Sequence, residues 1–349
     1  MDSQEVDYIF LAPGPNMFYL TGIRTVPDER LQVLAVPREG SPILILPEMY
    51  GEAAGRSQAW FNLVTWCDGL DLSTLIASAV GPLKRAAVDK KLWAGHFLTL
   101  INVLGECRFV EADDIMGSVR VTKDDFELES LGRSANLADK AMAQAAEKIR
   151  PGMTEKELAL LIENTLKSFG AEDISFKPII ASGPNGSLPH HSPQERELQR
   201  GDFVVMDFGA VAEGYCSDIT RTFFIGRADA ASRELYRVVQ QANETGFQAA
   251  SMGAPCERVD AAARAVIAGA GYGRNFIHRT GHGIGLDYHE DPYIVQGNAA
   301  PLQPGMVFSI EPGIYLQGKL GIRIEDIVAV TESGPVRLNQ FPRELIEIT

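Results

Sequence analysis

Hydrophobic positions in the first third of the chain come in short runs that are apolar almost throughout: "DYIFLA", "LQVLAVP", "PILILP", "FNLVTW" and "AAVDK". Turn residues and stretches compatible with helix separate them, which predicts a small α/β unit. From Asp124 the period lengthens. "DDFELESLGRSANLADKAMAQAAEKIR" carries apolar residues at helical spacing and stops at Pro151–Gly152, a helix-ending pair. This change divides the chain into residues 1–121 and 122–349. The second part echoes itself. A helix, the break "RPGMT" and the helix "EKELALLIENTLKSFG" fill 135–170; a helix, the break "SMGAP" and "CERVDAAARAVIAGAGYG" fill about 231–273. Each pair precedes apolar strand holding polar residues, "KPIIASGPNG" and "NFIHRTGHGIG". Two such halves predict a pseudo-symmetric α+β domain, with its helices covering one sheet and its site between the halves.

One stretch breaks the binary pattern. "VVMDFGAVAEGYCSDITRTFFIG", residues 204–226, puts Asp207 and Asp218 inside apolar runs. Those runs predict two antiparallel strands with a turn near Ala212/Glu213, which sets the two aspartates nearly opposite each other. Opposed side chains have Cβ atoms roughly 4.5–5.5 Å apart. Carboxylates buried that close share a proton, pair with a base or bind a cation; the alternative is that both point to solvent from the shoulders of the turn. "GMVFSIEPGIYL" and "LGIRIEDIVAV" embed Glu311 and Glu325 in the same way, although a single Glu before Pro-Gly also marks a strand end. Of six histidines, five lie within 190–289, and His278, His282 and His289 share the Gly-rich "FIHRTGHGIGLDYHEDP". His282, between Gly281 and Gly283, has backbone freedom to aim its ring. Four acids and a histidine on one sheet form an oxygen-rich ligand set with one nitrogen. Such a set suits two divalent ions sharing bridging carboxylates, and Mn, Co, Fe or Zn better than a structural zinc.

Composition narrows the class. The chain has 349 residues, 45% hydrophobic and 22% charged, as in an ordinary globular protein of two domains. A formal charge of −14 argues against nucleic acid or an anionic membrane as partner. Cys67, Cys107, Cys216 and Cys256 are scattered without a CxxC, which fits a reducing cytoplasm. No apolar run approaches the ~18 residues of a membrane span, so a soluble protein is expected.

The order Asp207, Asp218, His282, Glu311, Glu325, within "MDFGA", "SDITRT", "GHGIGL", "EPGIY" and "GIRIED", resembles the M24 metallopeptidases of pita-bread fold, and more narrowly the Xaa-Pro peptidases. The resemblance implies a catalytic pita-bread domain after a creatinase-like N-terminal domain. It implies two divalent metal ions per subunit, manganese first, with cobalt or zinc as alternatives. Asp207 would chelate one ion, His282 and Glu311 the other, and Asp218 and Glu325 would bridge them. A hydroxide between the ions would attack the carbonyl before proline, with Glu311 shuttling its proton to the imino nitrogen. His190, in "LPHHS", is chosen over His191 on the family's Pro-His pattern. With His289 it would hydrogen-bond the substrate or the developing oxyanion. His278 would line the proline pocket, and Arg323 would orient the metal carboxylates or form a plain strand salt bridge.

The family divides into prolidases, which cut dipeptides, and aminopeptidases P, which take longer chains. "NMFYLTGIRTVPDERLQVLAVP" resembles the small bacterial prolidases, and Arg30 matches their carboxylate-binding arginine. It would reach over from the partner of a homodimer; the alternative is a loop ion pair with Asp28 or Glu29. The Asp-x-Arg-Tyr signature of small aminopeptidases P is absent, since that place reads "LPEMYGEAAG". Where some relatives carry an arginine after the His289-Glu290 pair, this chain offers Tyr293 as a substrate contact. The expected activity is hydrolysis of proline-containing dipeptides. Alternatives are an aminopeptidase P or a non-catalytic binding protein on the same fold.

Overall fold

In the computed structural model, which describes residues 1–55 and 60–349, the chain forms two units, Met1–Val119 and Arg120–Thr349. In the first, strands Asn62–Trp66, Ile43–Pro47, Val33–Pro37, Tyr8–Leu11, Arg85–Val88 and Arg108–Glu111 lie in that order in one sheet. Five come from the apolar runs, and Arg108–Glu111 adds a parallel edge beside Arg85–Val88. The runs are apolar throughout because the sheet is covered on both sides. Phe10, Ala12, Val33, Ala35 and Ile45 feed one core. Their chain neighbours Ile9, Leu11, Leu34, Leu44 and Leu46 feed the other.

The second unit opens with helix Asp125–Lys148. Asp124 accepts from the Glu127 amide while Glu127 reaches back to the Asp124 amide, a complete capping box. Helix Glu155–Ser168 starts the same way on Thr154 and Glu157. Helices Ala230–Ala249 and Cys256–Gly269 form the second pair. The echo in the sequence is therefore an echo in structure, but the helices do not share one sheet. Strands Glu347–Ile348, Ile219–Ile225, Phe203–Phe208 and Ile179–Ser182 form one. Strands Glu290–Ile294, Gly281–Gly283, Val307–Ile310, Asp326–Thr331 and Gly334–Arg337 form another. Among the described residues, a single bridge, Thr220 to Glu325, ties the two together.

The register of the 204–226 hairpin also differs from expectation. Its turn is Glu213–Gly214, with φ of 51° and 87°, the left-handed pair that a two-residue hairpin of native twist needs. Moving the turn centre along the chain sets Thr220, not Asp218, opposite Asp207. Asp218 lies two residues before Thr220, so both aspartates remain on one face, related diagonally rather than directly. Among the described residues, no helix is long and apolar enough to cross a membrane.

Candidate active site

Nine of the eleven residues singled out in the sequence line one cavity of about 570 Å³ in the second unit. Asp207 comes from strand Phe203–Phe208, Asp218 from the residue before Ile219–Ile225, and both are buried. From the other half come His282 on Gly281–Gly283, Glu311 just after Val307–Ile310, and Glu325 just before Asp326–Thr331. The two glycines beside His282 allow a close approach of neighbouring backbone. A Cβ on Gly281 would overlap the Ser309 carbonyl, and one on Gly283 the Asp291 carbonyl.

Hydrogen bonds fix each group and leave particular atoms free. His282 Nδ1 lies 3.1 Å from the Gly283 carbonyl, which makes Nδ1 the donor and leaves the Nε2 lone pair facing the carboxylates. That Nε2 is 3.3 Å from Glu311 and 3.9 Å from Asp218. Glu325 accepts from the Thr220 hydroxyl at 2.6 Å, and Glu311 from the Ser309 hydroxyl at 3.1 Å. One oxygen each of Asp207, Asp218 and Glu325 is buried with no donor among the described residues. Asp218, His282 and Glu325 each offer a ligand atom, all within 4.8 Å of one another. Buried acceptors without donors, in the same cavity as a neutral imidazole nitrogen, are what a cation requires and what a folded chain otherwise avoids. The donor set thus fits divalent ions.

The electrostatics agree. Burial raises the Asp218 carboxyl well above its ordinary range, and the Glu325, Asp207 and Glu311 carboxylates push it further. Burial does the same to Glu325, followed by Glu311 and Asp207. Glu311 is pushed up to about 7 by burial, against the pull of Arg323. His282 is held well below its usual value by burial and then by His289, and burial with Arg279 lowers His289 to about 4.

Around the carboxylates, Arg323 pairs with Asp207 and donates to the Tyr315 hydroxyl at 2.7 Å and the Thr220 hydroxyl at 3.1 Å. Tyr315 in turn lies 2.9 Å from His278 Nε2, while His278 Nδ1 faces the Arg279 carbonyl at 2.7 Å. The Arg323–Tyr315–His278 chain therefore runs with Nδ1 as donor and Nε2 as acceptor. Burial, then Arg323, lowers His278 to about 3, so its ring is neutral. His289 packs on His282 with ring centroids 4.0 Å apart, and Tyr288 packs on His289 at 4.9 Å. His190 lines the cavity, whereas His191 is buried beside Glu155 at 2.8 Å.

Two expected site residues are not among those lining this cavity. Arg30 belongs to the first unit, where it grips both oxygens of Asp68 at 3.1 and 3.0 Å and Glu29 at 2.6 Å. Tyr293 does not line the cavity: its ring carries the Arg279 guanidinium, Cζ 4.4 Å from the centroid. Phe176, Arg279 and Tyr288 do line it, and Tyr315 supports it. Arg279 and Tyr315 sit inside "FIHRTGHGIGLDYHEDP" and "EPGIY", but nothing in those stretches singled them out.

With this geometry, the chain belongs to metallopeptidase family M24, whose profile matches residues 129–332. The creatinase/prolidase N-terminal domain matches residues 1–122. Among particular proteins, the chain is 41% identical over 346 residues to a probable dipeptidase PepE of Mycobacterium tuberculosis, covering 97% of this chain and 92% of that one. It is 33% identical to an Xaa-Pro dipeptidase of Pyrococcus horikoshii, covering 99% of this chain and 96% of the relative. The crystal structure of a recombinant prolidase from Thermococcus sibiricus superposes with a TM-score of 0.95 at 40% identity, covering 99% of this chain and 96% of that one.

Proposed function

We propose that this protein is a two-metal Xaa-Pro dipeptidase. The observation that carries the reading is the set of buried carboxylate oxygens without donors on Asp207, Asp218 and Glu325, together with the Asp218–His282–Glu325 cluster whose ligand atoms lie within 4.8 Å of one another. Relatives named as dipeptidases and prolidases along nearly the whole chain support the substrate class. Asp207 would hold one divalent ion, His282 and Glu311 the other, and Asp218 and Glu325 both, with manganese, cobalt or zinc as occupant. Bound there, the ions supply a water acidified towards neutral pH and positive charge beside the scissile carbonyl.

The remaining work falls to the chain's own groups. Glu311 takes the proton of the attacking water and returns it to the leaving imino nitrogen. His289 and His190 donate N–H groups towards the carbonyl oxygen as it gains charge. His278, neutral and oriented by Tyr315, flanks the proline ring with Phe176 and Tyr288. Arg323 fixes Asp207 and, through Thr220, Glu325. Four free cysteines, one of them exposed at Cys67, fit a cytoplasmic enzyme, and the expected assembly is a homodimer.

Assaying metal-stripped protein, re-supplied with Mn, Co or Zn, on Ala-Pro beside Ala-Pro-Ala tests this. Metal-dependent cleavage of the dipeptide with poor cleavage of the tripeptide is expected. Equal or better tripeptide cleavage would make it an aminopeptidase P, and inert metal-loaded protein would make it a binding protein on the same fold.

A further inference from the structure

A dipeptide carries a free carboxylate on the residue just past the bond that is cut. A site selective for dipeptides must therefore present a cation, best an arginine fork, at that distance from the reacting carbonyl. Two arginines line the cavity, Arg279 and Arg323. The donors of Arg323 are engaged with Asp207, Tyr315, Thr220 and the Pro189 carbonyl. Those of Arg279 are not: among the described residues its guanidinium meets no hydrogen-bond acceptor, and it packs on the ring of Tyr293. A ring face attracts a guanidinium without using its N–H groups, so Tyr293 fixes the position of the cation and leaves its fork open. Arg30, by contrast, has both arms of its fork on Asp68 and a further contact to Glu29.

We propose that Arg279, held on Tyr293, binds the substrate's C-terminal carboxylate within the same subunit, and thereby sets the preference for dipeptides over longer chains. This rests on the dipeptidase reading above and gives Tyr293 the role of a platform rather than a substrate contact. Arg279 is a specificity residue that touches the part of the substrate that does not react.

The test compares manganese-loaded wild type, Arg279→Met, Arg279→Lys and Arg30→Ala on Ala-Pro and on its amide, Ala-Pro-NH2. Calorimetric binding of the uncleavable analogue Alaψ[CH2]Pro, as acid and as amide, runs beside it. In Arg279→Met, kcat/KM for Ala-Pro should fall roughly 10- to 100-fold, mostly through KM, the size of a lost charge-assisted fork. Cleavage of the amide should change less than about threefold, which also shows the variant is folded, and the binding preference for acid over amide should vanish. Arg279→Lys should keep part of that preference. Equal losses on acid and amide, or an acid preference that survives in Arg279→Met and disappears in Arg30→Ala, would overturn the proposal. If the wild type cleaves neither substrate, the dipeptidase reading fails, and the analogue still decides Arg279: an acid preference lost in Arg279→Met upholds the assignment, and one retained, or absent from the wild type, overturns it.

Discussion

Glu311 shows what crowding does to a single group. Its carboxyl is raised from 4.5 to about 7 by burial, with Asp207 adding to the rise and Arg323 opposing it. In metal-free protein the protonated form is the stable one in the fold, so its contribution is full below pH 4.5 and is lost as pH rises through 7. Replacing it by Gln removes that titration. Thermal melts in chelator should therefore show Glu311→Gln gaining on the wild type as pH is raised from 5 to 8, while the lowered histidines, present in both, cancel. A constant difference across that range would contradict the assignment. The carboxylates were legible in the sequence because a charge inside an apolar strand has few innocent explanations. Arg279 and Tyr315 were not, because an arginine and a tyrosine look ordinary in any sequence. Their meaning comes from Tyr293 and from His278 and Arg323, contacts made between residues apart in the chain.

At the level of elements, one carboxylate holds the loop that presents His190. Glu155, at the start of helix Glu155–Ser168, is fully buried. It accepts from the Ser182 amide and hydroxyl at 2.8 and 2.6 Å, from Asn185 at 3.1 Å and from the Gln194 amide at 3.0 Å, with His191 at 2.8 Å. Its pKa is lowered because these hydrogen bonds outweigh burial, the largest single effect, which acts the other way. Glu155→Ala strands several buried donors at once, and a loss of about 3 kcal/mol or more is expected in denaturant unfolding. A loss under about 1 kcal/mol would mean that the loop is held by other contacts. The helices were readable because their apolar spacing and breaks are written locally. The hairpin was readable as a hairpin but not in register, since the choice of Glu213–Gly214 as the turn rests on two left-handed residues, one of them not glycine.

On the scale of the whole molecule, the proposed ligands come from two halves that share, among the described residues, one β-bridge, Thr220 to Glu325. Asp207 and Asp218 stand in the first half; His282, Glu311 and Glu325 stand in the second. An ion held by both joins sheets that backbone pairing barely connects, and its binding adds to stability by mass action, about 2.7 kcal/mol at a hundredfold excess over Kd. Manganese should accordingly raise the melting temperature of the wild type and leave that of Asp218→Asn nearly unchanged. The division into two helix-pair halves was visible as a weak repeat. The splitting of the expected single sheet was not, because strand pairing across the halves depends on distant partners rather than on period. The most direct test of the account is to titrate metal-free protein with manganese while following Ala-Pro hydrolysis. Activity that is absent without metal and reaches its plateau at two equivalents per chain is the predicted result; full activity in chelator, or none with both equivalents bound, would contradict it.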